Sequence, residues 1–413
     1  MKKIDNIVEF IDISEKKCKK QFEEIDKIAL HNQEKVLKAF QKNRVQARHF
    51  NGTSGYGYDD IGRDTLNKVF ADIFDAEDAI VSPSILSGTH ALSLALFGIL
   101  RPNDVFLSIC GDLYDTLYDV INGENQGSLK DFGIKFDKVD LKNNTFNKEN
   151  IHKKICTLMP KMVIIQRSRG YFWRNALSIS EISDIIAELK RDYPDIIVAV
   201  DNCYGEFVDY NEPTTVGADI VIGSLIKNAG GGIAPNGAYI VGRADLIKLI
   251  SYRLTAPSIG TEIGSFISGY LPFYQGVFLA PTTVKNALKG SILFGQAYSD
   301  LGYETLPMPD EKCHDIIRSI KFDTEEQLIE FIRGVQAASP VDSDVVPYPW
   351  DMPGYQDKVI MAAGAFVQGS SIELSADSPI KEPYIAYLQG GLTYEHAKLA
   401  VKRTLEYITS ANK

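Results

Sequence analysis

Apolar residues recur at helical spacing through the first 45 residues: Ile7, Phe10 and Ile11, then Ile25, Ile28 and Ala29, then Val36, Leu37 and Phe40. Charged residues fill the gaps, so the pattern predicts two amphipathic helices ahead of the main body of the chain. A Gly/Tyr-rich loop follows at 51–58. From there to about residue 245, short β-branched runs alternate with helical stretches. The runs at 79–82, 105–110, 162–166, 196–201, 219–224 and 238–241 are apolar almost throughout. Strands buried on both faces of a mostly parallel sheet read this way. Helical patterns such as 89–100 and 179–191 lie between them, which makes the fold class α/β with helices on both sides of the sheet. Residues 246–300 read as mostly helical, with breaks at Pro257, Pro272 and Pro281. Beyond about 302 the elements shorten, and a Pro-rich stretch at 346–353 interrupts them. The expected organisation is an N-terminal helical arm (1–50), a large α/β domain (51–300) and a smaller α+β C-terminal domain (301–413), against which the arm can also pack.

Composition narrows the function classes. The chain has 413 residues, with 54 Asp+Glu against 44 Lys+Arg and a formal net charge of −10. That acidic balance argues against non-specific nucleic-acid binding, which needs a basic surface to displace counterions. The longest apolar run, 91–100, has ten residues, against about 20 for a membrane span. Five widely spaced cysteines with no CxxC pair exclude a disulfide framework and a thiolate zinc site, and fit a reducing compartment. Acidic residues are scattered through the N-terminal segment, which is not a secretory signal. A cytoplasmic protein is expected. The six histidines show no paired ligand spacing, so no metal site is expected.

Ligands of open α/β sheets bind beyond the carboxyl ends of the strands, and four such ends carry polar groups. After 79–82 comes a small-residue segment, Ser87, Gly88, Thr89 and His90, leading into an apolar helix. Its free N–H groups could hold a phosphate, although an ordinary N-cap is the plainer reading. Asp201 stands where a buried strand emerges, a costly place for a carboxylate without a partner; a turn-capping Asp is the alternative. Lys227 follows 219–224 among apolar neighbours. Desolvation lowers a lysine pKa and makes the amine a usable nucleophile and base, whereas a surface loop lysine is the bland reading. Gly230, Gly231 and Gly232 beyond it could let the backbone approach a ligand closely. Tyr114, after 105–110, could stack on a planar ligand or simply join the core. Taken together, a phosphate site, an aromatic, an acid and a lysine on one sheet edge match what pyridoxal 5'-phosphate (PLP) requires.

Several longer motifs stand in order along nearly the whole chain: GYGYDDIGRD at 55–64, SGTHA at 87–91, QRSRGY at 166–171, DNCYGE at 201–206, SLIKN at 224–228 and QGGLTY at 389–394. In these the chain resembles fold-type-I PLP enzymes. More narrowly, it resembles the cystathionine β-lyase-like, methionine γ-lyase-like carbon–sulfur lyases associated with aluminium resistance. The resemblance implies a mostly parallel seven-stranded sheet and a Schiff base on Lys227. It makes Asp201 the partner of the pyridine nitrogen and Tyr114 the stacking ring. Ser87, Gly88, Thr89 and Ser224 would surround the phosphate, and Tyr56, Tyr58 and Arg63 would reach into a neighbouring subunit of a homodimer or homotetramer. The implied reaction is β- or γ-elimination from a sulfur-containing amino acid, with Tyr114 able to protonate the leaving sulfur. Aminotransferase or racemase chemistry on the same fold, and PLP binding without turnover, are the alternatives. One departure matters. The only arginines after residue 250 are 253, 318, 333 and 403, so the C-terminal arginine that commonly clamps the substrate carboxylate in this fold is lacking within 372–394. Arg167 and Arg169 become the expected substrate ligands, with Lys381 as a further candidate, although a structural salt bridge is as good a reading for either arginine alone.

Overall fold

Residues 7–42 form the two helices that their periodicity predicts: α1 (Ile7–Lys17) and α2 (Lys19–Lys42) in this computed structural model, which describes residues 4–352 and 357–411. The last residue of the Pro-rich stretch, Pro353, lies outside the described residues. Asn6 caps α1 by accepting from the Val8 and Glu9 N–H groups, which otherwise lack intrahelical acceptors. The two helices serve different cores. Ile11 of α1 packs with Leu293 and Phe294 in the C-terminal core, whereas Ile25, Val36 and Ala39 of α2 join the main core. The arm thus straddles both domains.

After α3 (Ile61–Ile73), the large domain runs β1 (Asp78–Ser82), α4 (Gly88–Ile99), β2 (Val105–Ser108), α5 (Tyr118–Asn122), β3 (Lys135–Lys138), α6 (Lys148–Leu158) and β4 (Met162–Gln166). It continues through α7 (Ile179–Asp192), β5 (Ile197–Asp201), β6 (Ile220–Ser224), β7 (Ala238–Gly242) and α8 (Ala244–Leu254). These strands make one seven-stranded sheet in the order β1-β7-β6-β5-β4-β2-β3. Only β7 runs antiparallel to its neighbours. Every residue of β4, β5, β6 and β7 is buried, because helices cover both faces. Each large apolar side chain buried there contributes about 1.5–3 kcal/mol. The strand that the apolar pattern does not reveal is β3. It is an edge strand of sequence KFDK whose Phe136 alone packs inward, on Phe106 at 4.8 Å between ring centroids. Edge strands carry charge of this kind to block further pairing.

Helix α9 (Leu271–Leu301) corrects two of the expected breaks: Pro272 lies in its first turn and Pro281 inside it. Proline at a helix start costs nothing, since that N–H has no acceptor anyway. The interior proline removes one hydrogen bond, and burial of this helix along most of its length offsets the loss. Its first part packs in the main core through Val277, Val284 and Ile292, and its last turns pack in the second core through Leu293, Tyr298 and Leu301. The two domains share this helix.

The smaller domain comprises β8 (Glu304–Leu306), β9 (Arg318–Phe322), α10 (Glu325–Ala338), β10 (Val359–Ala362), β11 (Ser375–Pro379), β12 (Tyr384–Gln389) and α11 (Tyr394–Ala411). Its five strands are ordered β10-β11-β12-β9-β8 and pair antiparallel. Ala376, Ala386 and Leu388 turn toward the helices in the second core. The period of two sends Ser375, Asp377, Tyr387 and Gln389 to the opposite face, and Asp377, Tyr387 and Gln389 there form part of a cavity wall against the large domain.

Candidate active site

Between the carboxyl edge of the large sheet and this wall lies a cavity of about 180 Å³. It brings together Ser87, Gly88, Thr89, Tyr114, Asp201, Ser224 and Lys227, residues spread over 140 positions and delivered by the ends of four different strands. Sheet register explains the meeting: Gln166 at the end of β4 pairs with Asp201 at the end of β5, and Asp201 pairs in turn with Ile222 of β6.

Each part is held by the chain around it. Ser87 caps α4 by accepting from the His90 N–H, and the His90 ring accepts from the Leu86 N–H, so His90 closes this turn. Both the cap and the cavity position are realised, since the N–H groups of Gly88 and Thr89 remain without intrahelical acceptors. A Cβ on Gly88 would stand 3.4 Å from the Cys203 sulfur, so a small residue keeps this corner open. The Ser224 hydroxyl is buried with no hydrogen-bond partner. An orphaned donor beside a helix N-terminus suits an anion such as a phosphate. The Gln166 side chain accepts from the Tyr114 N–H at 2.6 Å and pins the loop that carries the expected stacking ring. Asp201 accepts from the Cys203 N–H at 3.1 Å, the turn-capping role, while also lining the cavity.

Lys227 departs from expectation in its charge state. Burial disfavours its ammonium form, but Cys203, Tyr204 and Asp201 outweigh that and hold its pKa above the ordinary lysine range. Its Nζ stands 3.9 Å from the centroid of the Tyr204 ring, a cation–π contact. Tyr204 itself sits at φ +73°, a conformation that a non-glycine residue adopts only when its surroundings impose it. Neither Cys203 nor Tyr204 is singled out by spacing. The glycines after Lys227 also differ from expectation. A Cβ on Gly230 would fall 1.6 Å from the Leu225 carbonyl oxygen, and one on Gly231, at φ +60°, would fall 2.3 Å from that of Gly276. Gly230 thus permits close packing on Leu225, Gly231 on α9, and Gly232, at φ +74°, on Leu392.

Arg167 and Arg169 are not brought into the cavity. Arg167 donates to Asn202 Oδ1 at 2.9 Å and to the Gly205 carbonyl at 2.7 Å, bracing the turn that follows Asp201. Arg169 pairs with Asp315 at 3.1 Å, both side chains fully buried, and donates to the Leu306 and Ile317 carbonyls. The structural salt bridge is the reading that holds for Arg169. Lys381 lines an outer chamber of about 550 Å³ that shares Tyr114, Thr116 and Tyr171 with the inner cavity, and its Nζ lies 2.7 Å from Asp357. Tyr56 and Tyr58 are 68% and 63% exposed and pack on each other at 5.5 Å, away from Lys227 of the same chain. Arg63 is buried, donating to Asp64 and to the Gly57 carbonyl. Gln166, Tyr171 and Gln389 stand in the motifs at 166–171 and 389–394 but carry no role from sequence, and Asp377 and Tyr387 are missed by it altogether. Only position in the third dimension identifies those two.

Glu206 lies behind the cavity. Burial, reinforced by Glu212, pushes its carboxyl from 4.5 up to about 8 even though Tyr239 and Lys227 oppose the shift. The Tyr239 hydroxyl donates to Oε1 at 2.9 Å, and Oε2 has no partner. Between about pH 4.5 and 8 the folded chain therefore retains a proton that the unfolded chain has released, so this group's contribution makes stability fall as pH rises through that window. Glu206→Gln should raise the melting temperature at pH 8 and leave it nearly unchanged at pH 4, as read by thermal unfolding across the pH range.

Among the described residues no cluster of His, Cys, Asp and Glu is placed to hold a metal ion. No helix among them is long and apolar enough to cross a membrane.

Comparison with known proteins agrees with this architecture. The uncharacterized protein YnbB of Bacillus subtilis is 49% identical over 383 residues, covering 92% of this chain and 90% of its own. A carbon–sulfur lyase involved in aluminum resistance from Clostridium novyi superposes with a TM-score of 0.94 at 51% identity, covering 98% of this chain and 96% of that one. At 15% identity, cystathionine gamma-lyase from Lactobacillus plantarum has a TM-score of 0.60 over 84% of this chain and 86% of that one, which establishes the shared fold of fold-type-I PLP enzymes. The methionine gamma-lyase family model matches residues 7–409, nearly the whole chain, and the chain is a member of that family.

Proposed function

We propose that this chain is a PLP-dependent carbon–sulfur lyase that acts on a sulfur-containing amino acid of the cystathionine or methionine type, releasing a thiol, a keto acid and ammonia. The observation that carries this reading is the convergence of Lys227, Asp201 and the partnerless Ser224 hydroxyl on one cavity at the N-terminus of α4. Those residues fit the cofactor, which when bound supplies an electron sink for a carbanion at the substrate Cα. Ser224 and the Gly88 and Thr89 N–H groups would hold the phosphate, Asp201 would keep a proton on the pyridine nitrogen, and Tyr114 would serve the ring. Lys227, the lysine that lines the cavity, would be the covalent anchor, and its Nζ would be the group that takes the Cα proton. The Tyr114 hydroxyl gives a proton to the departing sulfur. A cytoplasmic setting, where thiols stay reduced, suits the chemistry. Tyr56, Tyr58 and Arg63 are read as the groups that a second copy of the chain receives at its phosphate end, which makes the working unit a homo-oligomer.

The test is to incubate the PLP-loaded protein with cystathionine and with methionine and to assay thiol and keto acid together. Stoichiometric release of both is the expected result. Amino transfer to an added keto acid, loss of optical activity without thiol, or a spectral change with no product would each overturn the lyase reading. Ser224→Ala should weaken cofactor retention about ten-fold, the scale of one hydrogen bond to a charged group, as measured by equilibrium dialysis.

A further inference from the structure

The small-domain wall of the cavity carries a carboxylate and no guanidinium. On β11 and β12, Asp377 pairs with Tyr387 and Ser375 with Gln389, so these side chains share one face, and Asp377, Tyr387 and Gln389 line the cavity. Asp377 is hydrogen-bonded to Tyr171, and Lys227 is the cation whose charge opposes the effect of its burial. Among the described residues no lysine or arginine forms an ion pair with it. Burial pushes its carboxyl up to about 7 despite both neighbours, the mark of a charge that the chain leaves under-compensated. The outer chamber continues the same sign: Asp115, Asp119 and Asp357 face Lys381 alone, and Lys381 is already paired with Asp357. No arginine lines either space among the described residues.

Resting on the lyase reading above, we propose that Asp377 makes this site select amino acids whose side chain ends in an ammonium group and turn away those ending in a carboxylate. A cationic side-chain end completes the ion pair that Asp377 lacks. A second carboxylate would meet like charge at Asp377 and along the outer chamber, and such juxtapositions cost affinity.

The experiment is a calorimetric titration of the PLP-loaded protein with L-lysine, L-norleucine and L-α-aminoadipate, three side chains of four carbons each that end in an amine, a methyl and a carboxylate. In parallel, thiol release is assayed from S-(aminoethyl)-, S-propyl- and S-(carboxymethyl)-L-cysteine. L-lysine should bind about ten-fold more tightly than L-norleucine, the scale of one ion pair shielded from water, and L-α-aminoadipate most weakly. Asp377→Asn should level the series, and Asp377→Glu should preserve its order. Equal binding of the three ligands by the unaltered protein, or an unchanged preference in Asp377→Asn, overturns the proposal, and the first of these needs no variant to fold. A lysine preference that Asp377→Asn abolishes, with no thiol from any cysteine derivative, would uphold Asp377 and reject the lyase reading instead.

Discussion

Lys227→Ala protein should lose the visible absorbance of a covalently held cofactor and at least about a thousand-fold of its turnover, because one side chain serves as both anchor and base. The structure supports the size of this effect. Lys227 is the lysine that lines the inner cavity, whereas Lys381 lines the outer chamber and is paired there with Asp357. Lys227→Arg sharpens the test. It keeps the positive charge beside Asp201 and Tyr204 but offers a group that neither deprotonates nor forms an imine at neutral pH. Equal loss in both variants, with unchanged melting temperatures, assigns the effect to chemistry rather than to folding. Full turnover in either variant sinks the mechanism.

Arg169→Met should unfold the protein several degrees earlier, with a loss of about 3–5 kcal/mol, because it strands a buried carboxylate without its partner. Arg169 and Asp315 are both wholly shielded from solvent. The remaining neighbours of Asp315 replace little of the guanidinium: the Ile317 N–H reaches Oδ1 at 3.0 Å, and Oδ2 has no partner. The double variant Arg169→Met with Asp315→Leu should recover most of the loss, since it removes both charges together. Chemical unfolding at fixed pH measures the first effect, and a double-mutant cycle the second. A substrate ligand would behave differently, with KM rising sharply and stability hardly moving. That outcome would return Arg169 to the role expected of it from position alone.

The strands were legible because burial on both faces leaves a continuous apolar run, visible in any window of five residues. The strand ends that line the cavity followed from a general rule of parallel sheets, which is why Lys227, Asp201 and the turn before α4 could be named in advance, whereas the place of Ser224 was implied by the family resemblance. Failures cluster where a polar residue's partner lies far along the chain. Arg169 finds its partners in Leu306, Asp315 and Ile317, more than 130 positions away, and nothing near it in sequence announces that. The glycines after Lys227 looked like a ligand loop, yet their constraints come from Leu225 for Gly230, from Gly276 on α9 for Gly231 and from Leu392 for Gly232. Edge strand β3 escaped because it packs a single apolar side chain.

Periodicity along the chain thus decides which residues leave water and roughly what element carries them, since those preferences act over a few neighbouring positions. Asp377, Tyr387 and Gln389 show where that reach stops. Alternation says that they share a face of the small sheet. Only the docking of that sheet on the large domain makes the face a wall opposite Lys227 instead of a solvated surface. What a buried polar group meets depends on contacts between distant segments, and their free energy is realised only once the two domains close around the cavity.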